Sequence, residues 1–209
     1  MTRHEHARDS APEWLRALAE ARNRVTGGDH PHDVGGVGPA SPGPALWDPL
    51  PASAGQDLAA WWAWVDSLPA DGQDHCPLLP PRAAALPYET ARDYCRFMRQ
   101  IAIETQVDPD DWWRESYVPL TGDQDAAFIV DVGDPELPVY WWWLEGGLEP
   151  PEPIGHGVRS LADQMTALLD AGCYRYVAAE QRFARTRAPL PDEFTDAHPL
   201  IRWAGLPQE

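Results

Sequence analysis

Carboxylates and tryptophans are concentrated in residues 108–152. These side chains are the strongest candidates in the sequence for catalysis or for binding. The segment holds twelve Asp and Glu residues, five of the eleven tryptophans and one basic residue, Arg114. Two carboxylates facing each other could act as general acid and base in a carbohydrate-active enzyme, with tryptophans stacking on sugar rings. The same mixture also suits the binding of a basic protein, because carboxylates steer association and aromatic side chains anchor the complex.

Other side chains with catalytic or ligand-binding potential lack the surroundings that their chemistry needs. Histidine pairs at 4–6 and 30–32 could chelate a metal, but no third ligand accompanies either pair. Ser160 has no Gly-x-Ser-x-Gly frame, and Cys95 lies on the apolar stripe of a predicted helix. The glycine-rich segment 35–43 precedes neither a lysine nor a helix start, as a phosphate-binding loop would. The sequence therefore predicts a chain that is not an enzyme and that needs no metal or cofactor.

The overall charge narrows the kind of partner. The chain carries 33 acidic and 16 basic residues for a net charge of −17, and every basic residue is arginine, as a GC-rich genome favours. Such a charge argues against nucleic acid or an anionic membrane and favours a basic protein surface. The three cysteines show no paired spacing, and no apolar run resembles a signal peptide or a membrane span. We expect a reduced, cytoplasmic monomer that binds a protein.

The first 56 residues predict a short helix followed by a linker. Ser10-Ala-Pro-Glu13 resembles a capping box, and apolar residues at helical spacing follow it, which predicts a helix over about 12–25. Residues 26–56 contain seven glycines and six prolines, a composition that sustains neither a helix nor a β-ladder. We therefore divide the chain into a helix and flexible linker at 1–49, a domain at 50–180, and a helical end and tail at 181–209.

Further segments have the apolar periodicity of amphipathic helices. The first carries Leu58, Trp61, Trp62 and Val65 on a single face. Asp57 is the predicted cap of that helix, and a second helix is predicted to follow Pro87. A third helix is predicted to begin with Ser160 and Asp163 as caps and to end at Gly172 in a left-handed conformation. A last helical stretch is predicted over 176–186.

From Trp112 the apolar period changes to two, which predicts antiparallel strands near 116–120, 126–132 and 138–144. In the third strand Trp141 and Trp143 point to one face and Trp142 to the other, so the pattern buries either the first two or Trp142 alone. We expect one set to build the core and the other to lie under a helix or to face a partner. Helices, strands and then helices predict an α+β fold, an antiparallel sheet packed by helices.

The order of these motifs resembles that of the SUKH superfamily, the Smi/Knr group of cell-wall regulators and bacterial immunity proteins. The likeness covers about residues 50–176, through "DLAAWWAWVDSLP", "PLLPP", "WWRESYVPLTGDQDAAFIVDVGDP", "VYWWW" and "VRSLADQMTALLDAGCYRY". Ser67 stands where the family usually has glycine, which costs about 1 kcal/mol if that turn needs a positive φ. The positions that match the family pattern are Trp61, Trp62, Asp66, Trp113, Pro119, Leu120, Asp131, Ser160 and Leu161.

The resemblance implies a SUKH-like sheet packed by helices and no enzymatic activity. Bacterial members are typically immunity proteins, which bind and block a toxin, so this chain is expected to neutralise a basic toxin domain. A regulatory scaffold in cell-wall or morphological functions stays open within the family, and a carbohydrate-active enzyme stays open outside it. The residues expected to bind the partner are Asp123, Asp125, Asp131, Asp134, Glu136, Trp112, Trp141 and Trp142.

Overall fold

The computed structural model of the chain describes residues 11–27, 52–66, 84–122, 126–148, 151–180 and 182–202. Within these ranges helices pack around antiparallel sheets, so the predicted α+β class is confirmed. The helices are α1 Glu13–Thr26, α2 Ala52–Asp66, α3 Tyr88–Glu104, α4 Pro109–Trp112, α5 Gly157–Asp170 and α6 Pro199–Arg202. The strands are β1 Ala84–Ala85, β2 Tyr117–Pro119, β3 Thr121–Gly122, β4 Ala126–Asp131, β5 Pro138–Trp143, β6 Gly147–Leu148, β7 Gly155–His156, β8 Tyr174–Val177 and β9 Arg182–Arg185.

The main sheet is antiparallel, with the order β2-β4-β5, and both β6 and β7 pair with the second edge of β5. β4 aligns with β5 so that Phe128 lies opposite Trp141. Tyr117 of β2 lies opposite Asp131 at the end of β4. The three predicted strands and their antiparallel pairing are therefore confirmed. Two further antiparallel pairs, β1 with β3 and β8 with β9, form separate two-stranded sheets.

Helices cover both faces of the main sheet, and this explains the consecutive tryptophans. On one face Trp142 packs edge-on against Trp113, with ring centroids 5.2 Å apart. On the other face Trp141 packs against Phe128, with ring centroids 4.6 Å apart. α3 contacts β2 and α5 contacts β5, and Trp141 and Trp142 are only 5% and 1% exposed. Trp141 and Trp142 are therefore both buried, although they point to opposite faces of the sheet. Trp143 shares a face with Trp141 but is only half-buried.

The N-terminal helix, which the division of the sequence groups with the linker at 1–49, packs into the core. Leu15 and Leu18 have no exposed surface, and Trp14 is buried with them. α1 packs against α5 and β8, and its apolar residues join a single hydrophobic cluster with the sheet. Pro12 is the N-cap, so the helix does not begin with a capping box at Ser10. A boundary at residue 49 would divide one core.

α2 is longer and more buried than its pattern predicts. It begins at Ala52, so Asp57 lies inside the helix and is not its cap. Every residue from Trp61 to Val65 is buried, beyond the single face that the spacing indicated. The indole N–H of Trp61 donates to the carbonyl of Leu120 at 3.3 Å, which ties α2 to the end of β2. A helix that is apolar on all sides belongs inside the fold.

α3 agrees with the helix predicted after Pro87, and α5 agrees at its end but begins earlier than predicted. Gly172 has a φ of 68°, and its N–H donates to the carbonyl of Leu169 at 3.0 Å. The next N–H, from Cys173, reaches back to Leu168, which completes a Schellman motif. α5 starts at Gly157, so Ser160 and Asp163 lie within the helix, and their predicted role as N-caps is wrong.

Side chains of α5 instead close the outer edge of β7. The Ser160 hydroxyl accepts the N–H of His156 at 2.9 Å, and the Gln164 amide donates to the carbonyl of Ile154 at 2.7 Å. Gly155 permits this approach, because a Cβ atom there would lie 2.0 Å from Oγ of Ser160. The edge of β7 is thus paired with side chains of its own chain.

The C-terminal region forms a β-hairpin where a helix over 176–186 was expected, so that prediction is wrong. In the hairpin Tyr176 lies opposite Phe183, with ring centroids 5.5 Å apart. Phe183 has no exposed surface, and neither has Leu200 in α6. Cross-strand aromatic packing therefore outweighs the helix propensity of the Ala-Ala-Glu connection. The region expected to be a tail contributes to the core.

Candidate functional site

The turn between β4 and β5, residues 132–137, is the most clearly built acidic surface of the described chain, and we call it the acidic turn. Its two carboxylates, Asp134 and Glu136, are exposed. Oδ1 of Asp134 accepts the N–H of Glu136 at 2.9 Å, and the N–H of Leu137 donates to the carbonyl of Asp134 at 2.9 Å. A side chain that bonds to the backbone two residues later fixes a turn. The carboxylate of Asp134 and the backbone at Glu136 are therefore held in a defined arrangement.

Two backbone features keep the acidic turn against the sheet. Leu137 has a φ of 52°, a left-handed conformation that costs a residue with a side chain about 1–2 kcal/mol. Its carbonyl accepts the N–H of Gly157 at 2.7 Å, which compensates part of that cost. Gly133 lies so close to β2 that a Cβ atom there would be 2.9 Å from Cβ of Ser116. The turn is anchored at both of its ends.

Asp131 supports the acidic turn from below and is not available to a partner. It is 5% exposed, its Oδ1 accepts the N–H of Gly133 at 2.9 Å, and its Oδ2 lies 3.5 Å from a guanidinium nitrogen of Arg114. A buried carboxylate with these partners organises the local backbone. Its predicted role as a partner-binding residue is therefore wrong.

Tyr140 is the aromatic side chain that accompanies the exposed carboxylates. It is partly buried, and burial raises the pKa of its hydroxyl, which the negative charges of Asp131 and Asp134 raise further. Burial likewise raises the pKa of Tyr117, its neighbour across β4, while Arg114 lowers it. Both phenols stay protonated at neutral pH, so Tyr140 can donate a hydrogen bond at the surface. Sequence reasoning missed Tyr140 because the neighbouring tryptophans gave the stronger signal.

The other acidic stretch, residues 108–115, is largely satisfied by the fold. Asp108 caps α4 by accepting the N–H of Asp110 at 2.9 Å. Arg99 on α3 lies 2.9 Å from Asp110 and 3.6 Å from Glu115. The same guanidinium donates to the carbonyl of Trp113 at 2.9 Å. These carboxylates join α3 to the segment that leads into β2.

The aromatic residues expected to anchor a partner are mostly inside. Trp141 and Trp142 are buried, so their predicted place on a binding surface is wrong. Trp112 is half-buried and packs against Trp142, with ring centroids 5.4 Å apart. The indoles lie inside because helices cover both faces of the sheet. Asp123 and Asp125 lie outside the described residues.

The residues that carry the SUKH resemblance are mainly core positions. Oδ1 of Asp66 accepts the N–H of Tyr88 at 3.4 Å, across the break between α2 and α3. Ser67 lies outside the described residues. The buried members of the set are Trp61, Trp62, Trp113, Pro119, Leu120, Asp131 and Leu161, and Ser160 is half-buried against β7.

Nucleophile and metal chemistry find little support in the described ranges. Burial raises the pKa of Cys95 to about 12, so its thiol stays protonated in the core. Among the described residues no group of three or more His, Cys, Asp and Glu side chains could hold a metal ion. The histidine pairs at 4–6 and 30–32 lie outside those residues. None of the helices in the described part of the chain is long and apolar enough to cross a membrane.

Comparison of the chain with protein-family models, with curated proteins and with solved structures gave no match. The SUKH resemblance therefore remains a prediction that rests on the residues quoted above.

Proposed function

We propose that this chain is a non-enzymatic protein-binding module whose acidic turn contacts a basic protein surface. Asp134 and Glu136 carry the proposal, since they are exposed and have no ion-pair partner among the residues that the structure describes. In 108–115, by contrast, Asp108 caps a helix, and Asp110 and Glu115 lie beside Arg99. Charge left unpaired on an ordered turn suits a complementary cation on another molecule.

The binding physics has three parts. The net charge of −17 attracts a basic partner over a distance of about one Debye length, roughly 8–10 Å. The hydrogen bonds of the acidic turn fix the carboxylate of Asp134 and the backbone at Glu136 beforehand, which lowers the entropy cost of association. Tyr140 beside them offers a flat surface and a hydroxyl donor, and tyrosine is common among residues that dominate interfaces.

The partner that this surface fits best is the basic active-site surface of a toxin domain. Carboxylates imitate the phosphate charge that such a surface binds in its substrate, so a chain that occupies it blocks the toxin. This agrees with the immunity-protein role implied by the SUKH resemblance. A regulatory scaffold in cell-wall functions would use the same surface with another basic partner.

Association kinetics test the acidic turn directly. A partner captured from native cell lysate is bound to the wild type, to Asp134→Asn with Glu136→Gln, and to the matched control Asp110→Asn with Glu115→Gln. Each double variant removes two charges, but only the first removes them from the acidic turn. We expect the turn variant to associate about tenfold more slowly at low salt and to show a flatter salt dependence, with dissociation little changed.

Two results would contradict the proposal. Equal slowing by both double variants would mean that net charge alone matters, and no slowing by the turn variant would place the interface elsewhere. The non-enzymatic part is tested by screening the purified chain against glycan, ester, phosphoester and peptide substrates. Turnover that a single Asp or Glu substitution abolishes would overturn it and return the carbohydrate-active alternative.

A further inference from the structure

An open groove of about 500 Å³ lies between the segment before β7, the helix α5 and the segment before α6. Ile154, Phe194 and Pro199 form apolar parts of its wall. None of these residues belongs to the acidic turn. The groove is therefore a second place where the described chain offers a concave surface to a ligand.

The polar groups of the groove include two acceptors that lack a donor. Glu193 is exposed and has no ion-pair partner within the described ranges, and no basic side chain lines the groove. Gln164 donates through Nε2 to the carbonyl of Ile154 at 2.7 Å, which leaves its buried Oε1 without a hydrogen-bond partner. That oxygen is closed off from solvent, so the exposed Glu193 is the acceptor that a ligand in the groove can reach.

His198 leaves this surface uncharged at neutral pH. Its Nδ1 accepts the N–H of Leu200 at 3.2 Å, and its ring packs edge-on against Phe194, with centroids 5.0 Å apart. An imidazole that accepts at Nδ1 carries its proton on Nε2 and is neutral. Burial lowers the pKa of His198, in agreement with this geometry. The histidine therefore does not repel a cation.

We propose that the groove binds an arginine side chain of the basic protein partner. The apolar wall suits the aliphatic stem, and the planar guanidinium can donate two parallel N–H bonds to the carboxylate of Glu193. A ligand with negative charge would be repelled by the carboxylate of Glu193, and no Arg or Lys side chain lines the groove to offset that repulsion. The inference rests on the proposed function for the identity of the partner, and the chemistry of the groove is tested without that partner.

The test is a titration of the full-length, ¹⁵N-labelled chain with N-acetyl-arginine methylamide, followed by NMR. The matched ligand is N-acetyl-citrulline methylamide, which has nearly the same shape and no charge. We expect saturable shifts at Ile154, at the side-chain amide of Gln164 and at His198, with citrulline binding at least about tenfold more weakly. Glu193→Gln should weaken arginine binding about tenfold, and the control Asp192→Asn, an exposed neighbour outside the groove lining, less than about twofold.

Equal binding of both ligands, or undiminished binding to Glu193→Gln, would overturn the proposal. Light scattering covers a different occupant: a dimer of the free chain that Glu193→Gln dissociates would assign the groove to a second copy and also overturn it. The acidic-turn variant Asp134→Asn with Glu136→Gln should bind N-acetyl-arginine methylamide like the wild type. Failure of the groove and failure of the acidic turn are therefore observed separately.

Discussion

Helix α1 and the acidic turn both lie among charged residues in the sequence, yet the folded chain uses them in opposite ways. Leu15 and Leu18 of α1 are wholly buried, and the helix packs on α5. In the acidic turn Asp134 and Glu136 remain exposed, and the nearby tryptophans of β5 point into the two helix layers instead. The region that looked like an accessory therefore supplies stability, and the region that looked like an aromatic binding face supplies mainly charge.

The difference shows that residues close together in the sequence need not have the same role in the folded chain. Trp141 stands five residues from Glu136, but it packs on Phe128 inside the fold. Under the proposed function, stability belongs to the buried layer of this segment and recognition to its exposed layer. Substitutions in one layer should leave the property of the other layer unchanged, and this separation can be measured.

The largest effect is expected at α1. Leu18→Ala removes a side chain with no exposed surface and should lower the free energy of unfolding by about 2–5 kcal/mol. Glu20→Ala, an exposed position on the same helix, should change it by less than about 0.5 kcal/mol. Chemical denaturation followed by tryptophan fluorescence measures both. If Leu18→Ala were as mild as its control, α1 would be an accessory after all.

A smaller effect separates the two aspartates at the acidic turn. Asp131→Ala leaves the N–H of Gly133 without its acceptor and should cost about 1–3 kcal/mol of unfolding free energy. Asp134→Ala also removes an acceptor, that of the N–H of Glu136, but water can replace it on this exposed turn. It should therefore cost clearly less, while it slows association with a basic partner. Equal costs at the two positions would mean that the acidic turn is as structural as the strand beneath it.

The smallest effect concerns pH and the C-terminal segment. Burial lowers the pKa of His198 from its ordinary value of 6.5, so the unfolded chain binds the proton more readily than the folded chain does. His198 therefore stabilises the fold above pH 6.5, and this contribution is lost as the pH falls below 6.5 toward the lowered pKa. His198→Asn keeps an acceptor for the N–H of Leu200 but does not titrate. The stability difference between wild type and variant should shrink between pH 7.5 and pH 5, and a constant difference would exclude this coupling.

Apolar periodicity correctly predicted the elements that have a regular pattern of apolar residues within their own sequence. The apolar stripe of α3 and the alternation in β2, β4 and β5 were readable because each of these elements has a regular run of apolar residues. The hairpin of β8 and β9 was not, since Tyr176 and Phe183 meet only after the chain reverses at a helix-favouring Ala-Ala-Glu. Whether α1 joins the core depends on contacts with α5, which its own residues do not reveal.

The candidate site was predictable in its charge but not in its aromatic part. Asp134 and Glu136 follow a strand and precede another, so exposure in a turn could be expected. Strand alternation predicts an exposed set of side chains only when one face of the sheet is in contact with solvent. Here helices lie on both sides and bury Trp141 together with Trp142. Tyr140, two residues before Trp142 in β5, stays only partly buried. Distant packing of this kind has no local signal in the sequence.

The close contact of Gly155 with Ser160 also bears on how the chain behaves at high concentration. A free strand edge invites a second chain to add its own strand, which is a route to aggregation. At β7 the hydroxyl of Ser160 and the amide of Gln164 already occupy the N–H of His156 and the carbonyl of Ile154. A second chain would find no open backbone groups at these two positions. Ser160 and Gln164 thereby keep this edge from pairing with a second copy of the chain.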